Sequence, residues 1–307
     1  MGEGMLFTKI TEDLAKVTMG RVLLAEPMSK HTSFRIGGPA EILVVPKEVG
    51  EISALIGFAE KKGLPFTLLG NCSNVLVKDK GISGLVIKLA GGPKRVSIED
   101  NNLIAEAGAL MPRVSYLASF RGLSGLEFMA GIPGSIGGGL VMNAGAHGQS
   151  MSQVVTWVET VNQDGVFSLI PSSALNLGYR NSNLQGGFSF VAAVHFKLEE
   201  ANQKETQQKR ERNLAVRRAK QPLSWPSAGS IFVNPKDKAA GFLLDQAGLK
   251  GRVRGGAEIS QKHANFIVNK GGATAEDVLR LIGDARELVF KSFGIELQLE
   301  IKIVGDD

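Results

Sequence analysis

Short apolar runs separated by glycine-rich turns occupy the first ninety residues. Their length and their content of β-branched residues are typical of buried strands. The runs are EILVVP (41–46), PFTLLG (65–70), NVLV (74–77) and GLVIKL (84–89). A helix is predicted over 48–62, between two of these strands, and a short amphipathic helix is predicted earlier in the chain, at ITEDLAKV.

The middle third of the chain continues with strands. Residues 96–107 alternate in polarity around a turn at 100–102, and a short helix that starts on a proline is predicted over 112–120. Three further strands are predicted at 154–163, 165–170 and 188–198. The first two of these would be joined by an Asp-Gly turn.

The last third mixes helices and strands. Residues 199–220 are highly charged, are predicted to be helical and end against Pro222. A helix over 274–293 is capped by Thr274, has one apolar face and ends at Gly294. The remaining predicted elements are strands at 230–234, 263–269 and 295–304 and a helix at 239–248. Since strands follow strands without a regular βαβα alternation, the sequence predicts an α+β fold.

The composition is that of an ordinary globular protein, with 307 residues, 43% hydrophobic and 21% charged. Cys72 is the only cysteine in the sequence, so no disulfide framework can form and a cytoplasmic location is expected. Neither a secretory signal pattern nor an apolar run of roughly 18 residues occurs, so no membrane association is predicted. The net charge of +5 favours an anionic partner. No pattern encodes the oligomeric state, and a monomer is favoured.

Two glycine-rich segments follow predicted strands and are candidates for binding a ligand through the main chain. They are LLGNCSNVLV (68–77) and GIPGSIGGGLVMNAGAHG (131–148), and glycine supplies seven of the eighteen residues of the second. Glycine permits positive φ and lets backbone N–H groups approach a pyrophosphate, to which Ser73, Ser135 and Asn143 would add hydrogen bonds. The alternative for both segments is tight turns and close packing without a ligand.

Several common motifs are absent from the sequence. There is neither GxGxxG at a strand–helix junction nor GxxxxGK[ST], and the four histidines lack metal-ligand spacing, so no metal site is predicted. The basic run at 204–220 contains no aromatic residues, so nucleic acid is not expected as a partner. Three other residues are candidates for chemistry: Arg180 in YRNS, Ser230 in AGSIFVNP and Glu300 in LQLEIKIV. Their ordinary alternatives are a surface arginine, a turn serine and a solvated strand carboxylate.

Eight segments together resemble the UDP-N-acetylenolpyruvoylglucosamine reductase family. In order, from about residue 31 to residue 305, they are HTSFRIGGPAE, LLGNCSNVLV, GLEFMAGIPGSIGGGLVMNAGAHG, YRNS, KQPLSWPSAGSIFVNP, AAGFLLDQAGLKG, KHANFIVN and FGIELQLEIKIVG. GIPGSIGG and MNAGA are shared in outline with other flavoproteins of the same FAD-binding fold. PSAGS, AGLKG and KHANF are far more specific.

The resemblance implies an α+β architecture: a two-lobed FAD-binding domain of the vanillyl-alcohol-oxidase (PCMH) type followed by an α+β substrate-binding domain. The FAD domain is expected at 1–199, with its lobes split near residue 90, and the substrate domain at 200–307, with its last strand returning to the first lobe. The implied reaction is the NADPH-dependent reduction, through FAD, of UDP-N-acetyl-3-O-(1-carboxyvinyl)-glucosamine to UDP-N-acetylmuramate in peptidoglycan synthesis. Hydride would reach C3 of the enol ether from flavin N5, and a proton would be added at C2.

The resemblance also assigns roles to residues at matching positions. Ser230 matches the proton donor, and Arg180 and Glu300 match the pair that stabilises the intermediate. The positions that match FAD contacts are Arg35, Gly70, Asn71, Cys72, Ser73, Asn74, Gly131, Ile132, Gly134, Ser135, Gly138, Asn143, Ala144 and Gly145. The positions that match contacts to the UDP part of the substrate are Lys220, Asn234, Lys250 and His263. For Lys250, solvated surface charge is the alternative.

The chain departs from the family pattern in a few places. It runs from YRNS through a short turn to FSFVAAV, so it resembles the shorter subtype without the tyrosine-bearing loop that closes over the nucleotide. Cys72, His147 and Val233 stand where glycine, an aromatic residue and lysine are frequent. Two other functions stay open: a flavoprotein oxidase or dehydrogenase of the same fold with another substrate, and a basic nucleotide- or nucleic-acid-binding module without catalysis. The presence of both Ser230 and Glu300 favours the reductase.

Overall fold

A computed structural model describes residues 10–186 and 189–307 of the chain. These residues form two compact units. The first unit contains the described residues up to Ala25 and those of Glu41–Asn71 and Gly84–Ala215; the second contains Glu26–Ala40, Cys72–Ser83 and Val216–Asp307. The second unit thus takes two stretches from the first ninety residues. The predicted domains 1–199 and 200–307 stay a prediction.

The secondary structure consists of six helices longer than one turn and eighteen strands within the described residues, besides a helical stretch at 10–14. The helices are α1 Glu51–Lys62, α2 Met111–Phe120, α3 Ile136–Val141, α4 Gln203–Lys220, α5 Ala240–Gln246 and α6 Ala275–Phe293. The strands are β1 Arg21–Pro27, β2 Pro39–Val45, β3 Phe66–Leu69, β4 Val75–Val77, β5 Ile82–Lys88, β6 Val96–Glu99, β7 Asn102–Glu106, β8 Leu123–Ser124, β9 Gly145–Ala146, β10 Gln149–Ser150, β11 Val155–Asn162, β12 Phe167–Pro171, β13 Ser189–Lys197, β14 Glu199–Glu200, β15 Val253–Arg254, β16 Ala257–Ile259, β17 Ile267–Asn269 and β18 Lys302–Val304. The 3₁₀ helices are Met28–Lys30, Glu127–Gly131, Met151–Gln153, Ser172–Leu175 and Asn183–Gly186.

The first unit is built on two sheets. One has the strand order β12-β11-β13-β7-β6 and is antiparallel throughout, and the other, most of which lies in this unit, has the order β1-β2-β5-β3. Helix α1 buries an apolar face that includes Ile52, Leu55 and Ile56, and it ends at Gly63, which adopts the left-handed conformation (φ 65°). The helix predicted at 48–62 is therefore confirmed, with its start three residues later.

The second unit packs around helix α6. Thr274 and Asp277 form a capping box at the start of this helix, and Gly294 ends it in the left-handed conformation (φ 67°), as the sequence predicted. Strands β15, β16 and β17 form an antiparallel sheet, and β18 pairs in parallel with β4. The core of the unit includes Phe34 and Leu76 from the early part of the chain beside residues of α5 and α6.

Three predicted strands are wrong in extent. Of 263–269 only β17 is a regular strand. At 230–234 the chain makes only isolated bridges, Ser230 to Phe266 and Phe232 to Leu299, and of 295–304 only β18 is a regular strand. The predicted alternation nevertheless holds, because Leu297 and Ile301 are buried and Gln298 is exposed. These segments pair through a few main-chain bonds and, at Phe232, through the side chain of Asn265, so they form isolated bridges that apolar alternation does not distinguish from a regular strand. The sequence also missed β1 and α3.

Candidate active site

The glycine-rich segment 131–148 of the first unit is largely ordered by its own main chain. It follows a 3₁₀ turn, pairs at Ser135 with Leu110, and then forms the short helix α3. Ser135 caps this helix, with its Oγ accepting from the amide of Gly138 at 3.4 Å. Because Ile136 and Leu140 are buried and the cap is present, a helix forms in spite of three glycines.

Three consecutive glycines in α3 serve different purposes. A Cβ on Gly137 would lie 2.8 Å from the Cβ of Ala107, and one on Gly139 would lie 2.8 Å from the sulfur of Met111. Those two glycines are required by the packing of the protein itself. Gly138 is exposed, and a Cβ there would meet only Ser135 Oγ at 3.4 Å and Gly70 Cα at 3.9 Å among the described residues. Packing does not explain Gly138, whereas close approach of a ligand to the main chain would.

The first unit brings the two glycine-rich segments together. A Cβ on Gly70 would lie 2.5 Å from Ser135 Oγ, so the end of β3 lies directly against the start of α3. The carboxamide of Asn71 donates to the carbonyl of Pro133. The predicted cofactor residues in contact here are Gly70, Ser135 and Gly138, and Asn71 bonds to Pro133 beside them; Gly131, Ile132 and Gly134 are close to them in sequence. Their clustering is what a common ligand requires, and their contacts with FAD stay a prediction.

Asn143, Ala144 and Gly145 hold the end of the glycine-rich segment. The buried carboxamide of Asn143 donates to the carbonyl of Gly178 at 2.7 Å and accepts from the amide of Ser152 at 3.0 Å. The amide of Ala144 donates to the carbonyl of Gly139 at 2.7 Å. A side chain on Gly145 would collide with the backbone of β10. The side chain of Asn143 therefore supports the protein, and its predicted cofactor contact, like those of the other two residues, stays a prediction.

Arg180 lies in the first unit, in a turn that is tied to the same segment. Its Nη2 donates to the carbonyl of Gly145 at 3.1 Å, and its guanidinium carbon lies 5.1 Å from the centre of the Tyr179 ring. The backbone of Arg180 is left-handed, with φ 55°. The side chain of this predicted catalytic residue is thus held against the predicted cofactor segment, and the anion-binding role of its guanidinium is untested.

Left-handed backbone is concentrated in the segments that the sequence singled out. Of the eight non-glycine residues with positive φ among the described residues, five are at predicted site segments. They are Arg35, Cys72, Asn143, His147 and Arg180, with φ between 40° and 55°. Such conformations cost on the order of 1–3 kcal/mol each and cluster at functional sites, where surrounding contacts enforce them.

In the second unit, Arg35, Cys72, Ser73 and Asn74 lie on two stretches that are joined by main-chain bonds. The carbonyl of Cys72 accepts from the amide of Ser33 at 3.2 Å, and Cys72 is buried. Asn74 donates through Nδ2 to the carbonyl of Glu300 at 3.0 Å. A second bond joins the same segments, from the Lys302 amide to the Asn74 carbonyl at 2.9 Å.

Arg35 is exposed on this unit, and its carbonyl is the acceptor of a long hydrogen bond, 3.4 Å, from the carboxamide of Asn269. Asn269 also donates to the carbonyl of Phe34 at 3.1 Å. Ser73 is half-buried. The carboxamide of Asn269 therefore fixes the backbone beside Arg35, while the exposed guanidinium has the charge that a phosphate-bearing cofactor would need.

Ser230 and Glu300 lie on neighbouring segments of the second unit. The amide of Glu300 donates to the carbonyl of Ile231, the residue after Ser230, at 2.8 Å, and Phe232 bridges Leu299. Both candidate side chains are half-buried. The sequence predicted the two residues separately, and the structure brings their backbones side by side.

Asn265 holds the Ser230 segment in place of a regular strand. It is buried, and its carboxamide both accepts from the Phe232 amide at 2.9 Å and donates to the Phe232 carbonyl at 2.8 Å. The main-chain carbonyl of Asn265 accepts from the amide of Ile231 at 2.9 Å. This clamp was missed from the sequence, although Asn265 lies within the KHANF motif, because an asparagine in an apolar run gives no sign of which backbone it will pair with.

Two of the predicted substrate residues are close together in the second unit. The pKa of His263 is lowered, first by burial and then by the charge of Lys250, which outweigh the opposite effect of a backbone hydrogen bond. The His263 Nδ1 accepts from the amide of Asn265 at 3.3 Å, which leaves the proton of the neutral ring on Nε2. Lys250 itself forms a salt bridge with Asp245, with 2.6 Å between Nζ and Oδ2.

The other two predicted substrate residues are associated with helices α5 and α4. Asn234 accepts through Oδ1 from the amide of Ala240, the first residue of α5, at 3.0 Å, so its side chain satisfies an amide that has no partner within the helix. Lys220 is exposed and is the last residue of α4. Neither placement tests a contact with substrate, and all four substrate assignments stay predictions.

Neither a metal centre nor a membrane span is found in the part of the chain that the structure describes. No three His, Cys, Asp or Glu side chains there converge as a metal site. No helix there is both long and apolar enough to cross a bilayer. The candidate groups of the first unit are the glycine-rich main chain and the guanidinium of Arg180, and those of the second unit are the hydroxyl of Ser230 and the carboxyl group of Glu300.

Family models match both parts of the chain. A model described as FAD binding domain matches residues 40–168. A model described as UDP-N-acetylenolpyruvoylglucosamine reductase, C-terminal domain, matches residues 221–304. The first match covers both glycine-rich segments, and the second covers Ser230 and Glu300.

Individual proteins match over nearly the whole chain. The chain is 42% identical to the UDP-N-acetylenolpyruvoylglucosamine reductase of Heliobacterium modesticaldum, over 97% of this chain and 94% of that protein. It is 43% identical to the enzyme of the same name from Caldanaerobacter subterraneus subsp. tengcongensis, over 98% of this chain and 99% of that protein. The crystal structure of UDP-N-acetylenolpyruvylglucosamine reductase from Thermus caldophilus superposes with a TM-score of 0.79 and 35% identity, over 92% of this chain and 98% of that one. These matches confirm the predicted fold class, α+β with an FAD-binding domain of the vanillyl-alcohol-oxidase type.

Proposed function

The chain belongs to the UDP-N-acetylenolpyruvoylglucosamine reductase family of FAD-binding oxidoreductases, and we propose that it reduces UDP-N-acetyl-3-O-(1-carboxyvinyl)-glucosamine to UDP-N-acetylmuramate. The product is a peptidoglycan precursor, so the enzyme would act in cell wall synthesis in the cytoplasm. NADPH is the proposed hydride donor. The observation that carries the proposal is the pairing of the Ser230 segment with the Glu300 segment, which puts an acid–base hydroxyl and a carboxyl group on adjacent backbone.

FAD, when bound, supplies the hydride transfer between NADPH and the sugar nucleotide. The residues proposed to hold it are those around the exposed Gly138 in the first unit and Arg35, Cys72, Ser73 and Asn74 in the second. Main-chain amides of the small residues would meet its pyrophosphate, and the apolar residues of segment 131–148 would exclude water. The exposed, unexplained glycine is the structural feature that fits such a group.

Ser230 is the proposed proton donor to C2 of the substrate. A serine hydroxyl is a very weak acid, so it can donate only to a strongly basic carbon, which C2 becomes once C3 has been reduced. Arg180 would bind the substrate carboxylate through its guanidinium, where negative charge accumulates. Glu300 would contact the same carboxylate in protonated form or by sharing a proton, because two bare carboxylates repel each other.

The UDP part of the substrate is proposed to contact Lys220, Asn234, Lys250 and His263. The lysines supply positive charge opposite the diphosphate. His263 would stay neutral around neutral pH because its pKa is lowered, and its Nε2–H would be the hydrogen-bond donor. The chain has the short form of the family pattern, so these residues would bind the nucleotide without a tyrosine-bearing loop.

Absorbance of the flavin under anaerobic conditions tests the proposal. The purified protein should be yellow, should bleach with NADPH, and should regain its colour when the enolpyruvyl sugar nucleotide is added without oxygen. Bleaching without return of colour would indicate a flavoprotein with another substrate. A protein that binds no flavin would indicate a binding module without catalysis.

Replacement of Ser230 by alanine should separate the two half-reactions. In Ser230→Ala, reduction of the flavin by NADPH should be unchanged, and reoxidation by the sugar nucleotide should slow by at least about 100-fold, the usual range for loss of a positioned proton donor. Ser227→Ala is the matched control, because the bond that residue 227 makes with Ser33 uses its carbonyl and survives the change. If both half-reactions slowed equally in Ser230→Ala, Ser230 would not be the donor.

A further inference from the structure

The turn that contains Arg180 needs external restraint. Its left-handed conformation, φ 55°, is unfavourable for any residue with a Cβ and persists only where surrounding contacts enforce it. In this turn the amides and carbonyls of Gly178 and Asn181 bond reciprocally, at 3.0 and 3.3 Å. Asn143 anchors the turn by donating to the Gly178 carbonyl. These bonds fix the residues on either side of Arg180, and a separate contact holds Arg180 itself.

Gln185 makes that contact. Its Nε2 donates to the carbonyl of Arg180 at 3.1 Å and to the carbonyl of Val141 at 3.4 Å. A carboxamide nitrogen has two N–H donors, so these two bonds use both. The orientation of the carboxamide is also determined, because a flipped group would point its oxygen at two carbonyl oxygens.

Through these bonds Gln185 joins two parts of the first unit that bear on the reaction. Val141 is the last residue of α3, the helix that begins at the predicted cofactor surface. Arg180 also contacts that segment through its side chain, at the carbonyl of Gly145. Main chain and side chain of Arg180 are therefore fixed to the same segment, the main chain through Gln185 and the side chain directly.

We propose that Gln185 is a positioning residue for Arg180: it locks the left-handed turn so that the guanidinium is presented to the substrate carboxylate in a fixed direction. The proposal rests on the proposed function, because it assumes that Arg180 binds that carboxylate. Gln185 touches neither substrate nor cofactor in this role. Displacement of a binding group by about 1 Å can cost on the order of 100-fold in rate, so the restraint matters to turnover more than to folding.

Gln185→Met removes both donors while keeping the length of the side chain. We expect FAD binding and flavin reduction by NADPH to be unchanged and reoxidation by the sugar nucleotide to slow roughly 10- to 100-fold, mostly in kcat. Ser182→Ala is the matched control. Ser182 bonds the same Val141 carbonyl at 2.7 Å through its hydroxyl, so loss of that bond alone should change the rate less than about twofold.

A double-mutant cycle separates positioning from general support. If Gln185 acts through Arg180, the change Gln185→Met should have no further effect on reoxidation in an Arg180→Ala background. An equal loss in both backgrounds, a parallel fall in flavin reduction, or an unchanged rate in Gln185→Met would each overturn the proposal.

Gln185→Asn provides a second variant should Gln185→Met not fold, because it stays polar but is one methylene too short to span both carbonyls. The same loss of reoxidation is expected from it, and a wild-type rate would overturn the proposal. Melting temperature and FAD affinity of each variant report on folding independently of activity. Wild-type protein that does not reoxidise with the sugar nucleotide would refute the proposed function itself, whereas a functional wild type with unaffected Gln185 variants would refute only the role of Gln185.

Discussion

The two units stabilise their parts of the candidate site in different ways. In the first unit, Gly137 has an ordinary backbone and is needed for space, because a Cβ would lie 2.8 Å from Ala107. In the second unit, Gly229, next to Ser230, has φ 79° and nothing within 4 Å of its position for a Cβ. The first glycine is required by packing and the second by backbone conformation. The same residue type is therefore required for two different physical reasons.

The contrast extends to the hydrogen bonds. Irregular backbone in the second unit is held by buried asparagine carboxamides, of which Asn265 is the clearest case. The glycine-rich segment of the first unit is held mainly by main-chain bonds and by close approach of Gly137 and Gly139 to the core. Loss of one side chain should thus be most harmful at the Ser230 segment, through Asn265, and gain of one side chain at Gly137 and Gly139.

The largest effect is expected for Asn265→Ala. The change leaves a buried amide and a buried carbonyl of Phe232 without a partner, at about 1–3 kcal/mol each, so the free energy of unfolding should fall by about 2–6 kcal/mol. Urea unfolding followed by circular dichroism measures this. Asn183→Ala is the control, since Asn183 is exposed and bonds the carbonyl of Ala174; it should cost less than about 1 kcal/mol. Equal losses in the two variants would remove the contrast between buried clamp and surface contact.

A smaller effect is expected for Gly137→Ala in the first unit. The added methyl overpacks the contact with Ala107, and such overpacking costs about 1–3 kcal/mol of stability. The adjacent variant Gly138→Ala should behave in the opposite way, with stability changed by less than about 1 kcal/mol and FAD affinity reduced. Urea unfolding and flavin titration of both variants give the comparison. Unchanged FAD affinity in Gly138→Ala would mean that this exposed glycine does not face the cofactor.

The smallest expected effect depends on pH. Burial disfavours the charge of Glu127, but hydrogen bonds from its own amide, Ser124 and Gly125, together with Lys209, outweigh burial and lower its pKa from the ordinary 4.5. A lowered folded-state pKa stabilises the protein above the unfolded-state pKa, and this contribution is lost as the pH falls through the folded-state value.

Glu127→Gln should therefore cost roughly 1–2 kcal/mol near neutral pH, with the difference from wild type shrinking below about pH 4.5. Unfolding free energies of the two proteins, measured from pH 7 down to pH 3, test this. A difference that grew on acidification would show that the charge of Glu127 opposes folding. Because Glu127 begins the turn that leads into the glycine-rich segment, the result bears on how firmly the first unit holds that segment.

Elements with local signals were predictable from the sequence. The capped helix α6 and the turn between β6 and β7 depend on residues within a few positions of one another, and both are found as predicted. The irregular structure at 230–234 was not predictable, because its bonds are to residues more than thirty positions away, and at Phe232 the partner is the carboxamide of Asn265. The helix α3 was missed because its glycines have low helix propensity, while its cap and its buried apolar residues outweigh that.

The candidate site was predictable by a different route. The resemblance assigned Ser230 and Glu300, and the structure pairs their backbones, but no spacing rule connects two positions seventy residues apart. Gln185 escaped notice altogether, since one glutamine in a short turn has no sequence signature. Its importance follows from two carbonyls that converge on it, which is a property of the folded chain.

The second unit is assembled from pieces that are far apart along the chain, and this affects how the protein acquires its structure. Strand β4 finds its parallel partner β18 more than two hundred residues later, and Phe34 enters the same core as Ile301. Closing such long loops is slow compared with the formation of hairpins such as β11–β12. The serine and glutamate of the proposed reaction lie in the unit that needs these long-range contacts, and the carboxyl-terminal third alone would lack Phe34, Ile36 and Leu76 from its core.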